Sequence, residues 1–223
     1  MTRQEKPVDL DSLPEVLPIF PLAGVLLLPH AQLPLNIFEK RYLAMSRDAL
    51  AGHRLIGMVQ PVHPEEEDTA LPAVYGSGCA GRITQFAETD DGRILITLTG
   101  LCRFTIVEEQ ALTDTGYRVV RADYGRYATD LDQPSATRVD RKRLMRALDA
   151  FFNQQGYEAD WSTVEHASNE SLITTLAMTC PFAPNEKQAL LEARDTATRA
   201  EIVISLMEMT VLDRTHSGEG SIQ

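Results

Sequence analysis

The hydrophobic period changes once along this chain, and that change limits the fold more than any other feature. In "RILITLTG", 93–100, Ile94, Ile96 and Leu98 alternate with Leu95, Thr97 and Thr99. That is the period of two which a half-buried strand requires. Beyond "GRYATDLDQPSATR", 125–138, only helical spacing is found, over about 138–154, 169–179, 185–194 and 197–212. Strands grouped first and helices grouped second predict an α+β architecture rather than an alternating parallel sheet. The polar, proline-containing segment reads as a boundary, giving a β domain over 1–125 and an α-helical domain over 126–223.

Within the first part, residues 16–38 alternate apolar runs with Pro18, Pro21, Pro29 and Pro34. Proline cannot donate to a ladder, so these residues punctuate short or edge strands. One early helix is expected over 39–50, where Tyr42, Leu43, Met45, Ala49 and Leu50 fall on one side. Strands are expected near 53–60, 78–88, 93–100, 102–109 and 117–124, six or seven in all with those of the proline-rich run. Asp91-Gly92 carries the turn chemistry of a hairpin.

"VYGSGCAGRITQF", 74–86, contains Gly76-x-Gly78-x-x-Gly81, the pattern of a dinucleotide-binding loop. That loop must follow a buried strand and open a helix, so that the helix N-terminus meets the pyrophosphate. Here the upstream segment is acidic and broken by Pro72, and the downstream segment leads into the hairpin. The glycines are therefore expected to serve a curved sheet, permitting a bulge and close backbone approach.

Net charge is −11. Residues 1–125 hold 11 basic and 17 acidic side chains and 126–223 hold 10 and 15, so no basic domain hides behind the average. Nucleic-acid binding, which needs an electropositive footprint, is not expected. Its one local support, "RVDRKRLMR" at 138–146, reads as the solvated side of a helix whose apolar stripe is Leu144, Leu148, Phe151 and Phe152. Cys79, Cys102 and Cys180 form no C-x-x-C and are expected to be reduced core thiols. The N-terminus has no apolar signal-peptide core, and the longest aliphatic run, Val25 to Leu28, cannot span a bilayer. A cytoplasmic protein without a membrane partner is expected.

No motif for catalysis is found. None of Lys6, Lys40, Lys142 and Lys187 follows a glycine, so no phosphate-binding loop of an ATPase is present. The five histidines are scattered, Ser77 is too close to its flanking glycines for a nucleophile elbow, and "EEED", 65–68, lacks the alternating spacing of a calcium loop. Neither an enzyme, a cofactor nor a metal site is expected.

The stretch "LPIFPLAGVLLLPHAQLPLNIFEKRYLAM" resembles the opening of the Lon N-terminal domain, the substrate-binding domain of ATP-dependent Lon proteases. The matching features are Leu17-Pro18-x-Phe20-Pro21-Leu22, Pro29, Pro34-Leu35 and "IFEKRY" at 37–42. "LIGMVQP" at 55–61, the glycine segment, and Gly100-x-x-Arg103-Phe104 follow in the family's order, as does "NEKQALLEARDTATRAEIVISLMEM" at 185–209. The resemblance spans nearly the whole chain except the termini and 125–165. It implies a PUA-like, six-stranded, mostly antiparallel β pseudo-barrel followed by a C-terminal helical bundle. It also implies a stand-alone, non-catalytic module that binds unfolded or damaged polypeptides, working with a separate protease, in protein quality control. The Met start and polar tail are those expected of a complete small protein. The alternative is RNA or nucleotide binding, which PUA-like barrels often perform. The contact region is expected at Pro34, Leu35, Phe38, Glu39, Lys40, Arg41 and Tyr42, where apolar groups meet charges at a helix start. The competing structural reading makes Leu35, Ile37 and Phe38 core, with Glu39 serving the helix dipole and Arg41 its ion-pair partner.

Overall fold

Alternation in the first part of the chain becomes a six-stranded sheet, in which the strand over Leu55–Pro61 is buried on both sides. In the computed structural model, which describes residues 9–66, 71–132, 137–158 and 160–218, the chain falls into two compact units, Met1–Gln133 and Pro134–Gln223.

The first unit contains β1 (Val16–Pro21), β2 (Gln32–Ile37), α1 (Lys40–Ala51), β3 (Leu55–Pro61), β4 (Val74–Glu88), β5 (Ile94–Glu109) and β6 (Arg118–Asp123). The order is β2-β5-β4-β3-β1-β6, and β6 pairs again with β5. Only β1 and β3 run parallel. Five strands thus return on themselves through β5, and β2 stays outside that ring as an edge. The result is a pseudo-barrel. Its core gathers Leu17, Ile19, Cys102, Phe104 and Val120, each fully buried.

Two of the expected strands are one. Residues 93–100 and 102–109 form the single 16-residue β5, whose first half pairs with β2 and whose second half pairs with β6. Gly100 does not end the strand. It lets the 28–31 loop lie against it: its N–H donates to the Ala31 carbonyl at 2.8 Å and its carbonyl accepts from the His30 N–H at 2.9 Å. A Cβ there would overlap the Leu28 carbonyl oxygen. β4 likewise starts earlier than expected, at Val74, because its glycines continue the ladder. All three lie inside β4, with a register shift between Ala80 and Gly81. A Cβ on Gly78 would come within 2.8 Å of Phe104, and one on Gly81 within 2.7 Å of Leu27. Close approach is what Gly78 and Gly81 serve, whereas a Cβ on Gly76 would meet nothing within 4 Å. The Asp91-Gly92 turn forms as read, with Gly92 at φ +81°.

Residues 125–131 form a 3-10 turn held on β5. Asp130 accepts from the backbone N–H of Arg103 at 2.9 Å and from its guanidinium at 2.7 and 2.8 Å. A second two-pronged pair joins Arg118 to Glu109, both contacts at 2.7 Å.

The second unit contains α2 (Arg141–Gln155), α3 (Trp161–His166), α4 (Asn169–Thr179), α5 (Pro184–Glu192) and α6 (Thr196–Gly218). Ser168 caps α4, its hydroxyl accepting from the Ser171 N–H at 3.1 Å. Helix α3 has no counterpart in the sequence reading. Six residues are too few for a periodic stripe, and the helix is set by its cap: the Asp160 carboxylate accepts from the Ser162 and Thr163 N–H groups. Those two residues' hydroxyls and N–H groups hold the Asp160 pKa down at about 2. The side of α6 that packs on α2, α4 and α5 is Ala200, Val203, Ile204 and Met207. Ile202, Leu206 and Thr210 are half-buried at its margin.

Cys79, Cys102 and Cys180 are free and buried. Burial pushes the Cys102 thiol up to about 12 and the Cys180 thiol up to about 11. Thiolate is the reactive form, so an aromatic disulfide reagent at about pH 8 should titrate none of the three thiols in the native protein. All three should react after unfolding; rapid native labelling would contradict this packing.

Candidate functional site

The junction of β2 and α1 joins an open strand edge to an exposed aromatic ring. Among the described residues β2 pairs only with β5, in the register Pro34 opposite Thr97 and Leu35 opposite Ile96. Proline has no N–H, so Pro34 fits this ladder only where its nitrogen faces away from β5. By alternation, Gln32 and Asn36 then turn their backbone groups to the open edge. Pro34 is exposed, Leu35 half-buried and Ile37 in the core.

Phe38 follows, with 64% of its surface exposed, more than any other large hydrophobic among the described residues. Of the residues that the core reading of this segment assigns inward, Ile37 is in the core and Phe38 is not. Glu39 stands at the N-cap of α1 without capping through its side chain. Its carboxylate instead accepts from Arg41, at 3.0 Å. The Arg41 guanidinium lies 4.6 Å from the Tyr42 ring centre, and Tyr42 stacks on Phe20 at 4.1 Å. Tyr42 is 5% exposed. Glu39, Arg41 and Tyr42 thus form a brace that fixes the exit from β2, while Phe38 and Lys40 face solvent. Further along α1, Asp48 accepts from the Tyr117 hydroxyl at 2.9 Å. Burial, together with that carboxylate, pushes the Tyr117 pKa up to about 12.

Gln60, 1% exposed, shapes the loop before β2. Its side chain accepts from the Gly24 N–H at 3.0 Å and donates to the Val25 carbonyl at 2.9 Å. The sequence marks this glutamine through "LIGMVQP", without telling what it holds.

The other motifs are placed as follows. In 138–146, Arg141 donates to Asn169 and to the carbonyls of Val164 and Glu165, and Arg143 pairs with Glu201 and Glu208. Leu144, Leu148 and Phe151 are buried, as the helix reading requires. Part of the acidic run, Glu67 and Asp68, lies outside the described residues. Among the described residues no group of three or more His, Cys, Asp or Glu is placed to hold a metal ion. Among them, too, no helix is long and apolar enough to cross a membrane.

The fold has solved counterparts. A Lon N-terminal domain protein from Xanthomonas campestris superposes with a TM-score of 0.59 at 23% identity, covering 85% of this chain and 97% of that one. The N-terminal domain of Mycobacterium avium complex Lon protease gives 0.59 at 15%, covering 86% and 98%. In sequence, Lon protease 2 of Myxococcus xanthus is 26% identical over 202 residues, 90% of this chain. Lon protease of Anaeromyxobacter dehalogenans is 24% identical over 202 residues, again 90% of this chain. The chain spans 24% of the length of each of these two proteases. The family model for the ATP-dependent protease La (LON) substrate-binding domain matches residues 16–209, all six strands and most of the helical unit. The chain belongs to the LON substrate-binding domain family.

Proposed function

We propose that this chain is a non-catalytic polypeptide-binding module and that an extended segment of an unfolded or damaged protein adds to the open edge of β2. The observation that carries this reading is an edge, unpaired among the described residues, that runs directly into a ring exposed over 64% of its surface. Main-chain groups of β2 supply sequence-tolerant hydrogen bonds, and alternate side chains of the guest supply apolar contact. Phe38 is the anchor, Leu35 and Pro34 line the approach, and Lys40 favours a guest with a nearby carboxylate. Glu39, Arg41 and Tyr42 hold the geometry without touching the guest. Pro34 removes one donor from the edge, which weakens indefinite pairing with further strands. A single short contact of this kind binds weakly, so retention needs avidity or transfer to a separate protease. Membership of a substrate-binding family supports the reading, as does the placement of the match outside the ATPase and protease parts of the larger relatives.

The test uses a labelled, reduced and carboxymethylated model chain that cannot fold. Phe38→Asp should weaken its binding by about 1–2 kcal/mol, the loss typical of an anchoring aromatic. The unfolding midpoint should stay at the wild-type value, because exposed substitutions change stability by no more than about 0.5 kcal/mol. Arg41→Ala should do the reverse, lowering stability with little effect on binding. Unchanged binding in a folded Phe38→Asp protein would remove the assignment.

A further inference from the structure

We propose that the helical unit carries a second docking surface, a basic-rimmed groove along α2 that accepts an acidic amphipathic helix of another polypeptide. Two adjoining depressions of about 490 and 750 Å3 meet at Arg146. The first lies between Ala147 and Ala150 of α2 and Val211 and Leu212 of α6. The second lies beside Met145 and Lys142. The floor of the first is apolar, with Leu212 56% exposed at its edge, while the second sets Met145 among charged side chains.

The charges decide the partner. Arg141 and Arg143 are engaged within the unit. Lys142 and Arg146 are exposed, and neither is within ion-pair distance of a carboxylate among the described residues, though the charge of Arg146 acts on Glu208 and helps to lower its pKa. They stand four residues apart, hence on one side of α2. Two cations flanking an apolar trough match a helix whose apolar stripe is bordered by carboxylates one turn apart. A trough between two helices also suits the ridge of a third. The chain's net charge of −11 does not forbid an acidic guest, since beyond about 8 Å exposed charges are screened at physiological salt. A nucleic acid fits less well. Its affinity comes from phosphate contacts, and RNA gains little from an apolar floor.

The probe is a designed, fluorescently labelled peptide of about 18 residues, long enough for a helix of several turns, with leucine at i, i+3, i+4 and i+7 and glutamate elsewhere. Its twin carries lysine for every glutamate, and a short single-stranded RNA is the third ligand. The glutamate peptide should bind the wild-type protein at least roughly tenfold more tightly than its lysine twin, through charge complementarity. Lys142→Glu/Arg146→Glu should weaken that binding by roughly tenfold, and Leu212→Asp, which leaves the cations in place, by a comparable factor. Phe38→Asp should leave it unchanged, which separates this surface from the β2 edge. Equal binding of the two peptides, capture of the RNA alone, or full affinity in both folded groove variants would each overturn the proposal.

Discussion

Replacing Asp130 with alanine is expected to destabilise the protein by about 3–5 kcal/mol, the loss typical of breaking one side of a buried ion pair. The side chains of Arg103 and Asp130 are 4% and 8% exposed. Burial by itself would depress the Arg103 pKa, but its hydrogen bonds and charge pairing with Asp130 outweigh that and hold the pKa above its ordinary value. Alanine would leave the guanidinium 4.4 Å over the Tyr127 ring, with its two-pronged pair to Asp130 broken and the 125–131 turn without that anchor. Arg103→Met combined with Asp130→Leu should lose much less, because an apolar pair of similar volume avoids desolvating two charges. Urea unfolding followed by circular dichroism measures both. A cost below about 1 kcal/mol for Asp130→Ala would mean that water reaches the arginine and the pair behaves as a surface one.

The second large effect separates two glycines that face the same ring, Phe104. Gly57→Ala should cost about 1–3 kcal/mol, the usual range for overpacking. Its new methyl would meet Leu17 and Phe104 at 2.8 Å, both side chains. Gly78→Ala should cost more, since its methyl would also meet the Met58 carbonyl oxygen at 2.5 Å, and a strand backbone cannot rotate away. Phe104→Leu discriminates between them. Trimming the ring should relieve much of the Gly57→Ala penalty, with a coupling energy above about 1 kcal/mol, but leave most of the Gly78→Ala penalty in place. Equal rescue at both positions would show that side-chain crowding, not backbone contact, excludes a Cβ from β4.

Much of the fold is legible in the residues because its determinants are local. The alternation of Ile94, Ile96 and Leu98 puts all three in the core. Asp91-Gly92 makes its turn, and α4 occupies the expected residues, with Ser168 at its cap. Reading fails where the decisive partner is distant. Gly100 looks like a break between strands until the 28–31 loop is seen against it. Asp130 sits in a polar stretch that reads as linker, and only Arg103, 27 residues away, makes it part of the sheet unit. The candidate site is half legible. Pro34 marks an edge and Glu39 pairs with Arg41, yet nothing in "NIFEKRY" tells that Ile37 turns inward while Phe38 turns out.

By itself, then, the sequence determined the division into strands and helices, the family, and the unsuitability of the three glycines for a nucleotide, because period, turn chemistry and motif order are properties of neighbours along the chain. Tertiary structure alone decided that β5 is one strand shared by two partners and which cations of α2 are tied into ion pairs. Those outcomes depend on which side chains meet across tens of residues, and a linear pattern carries no record of that meeting.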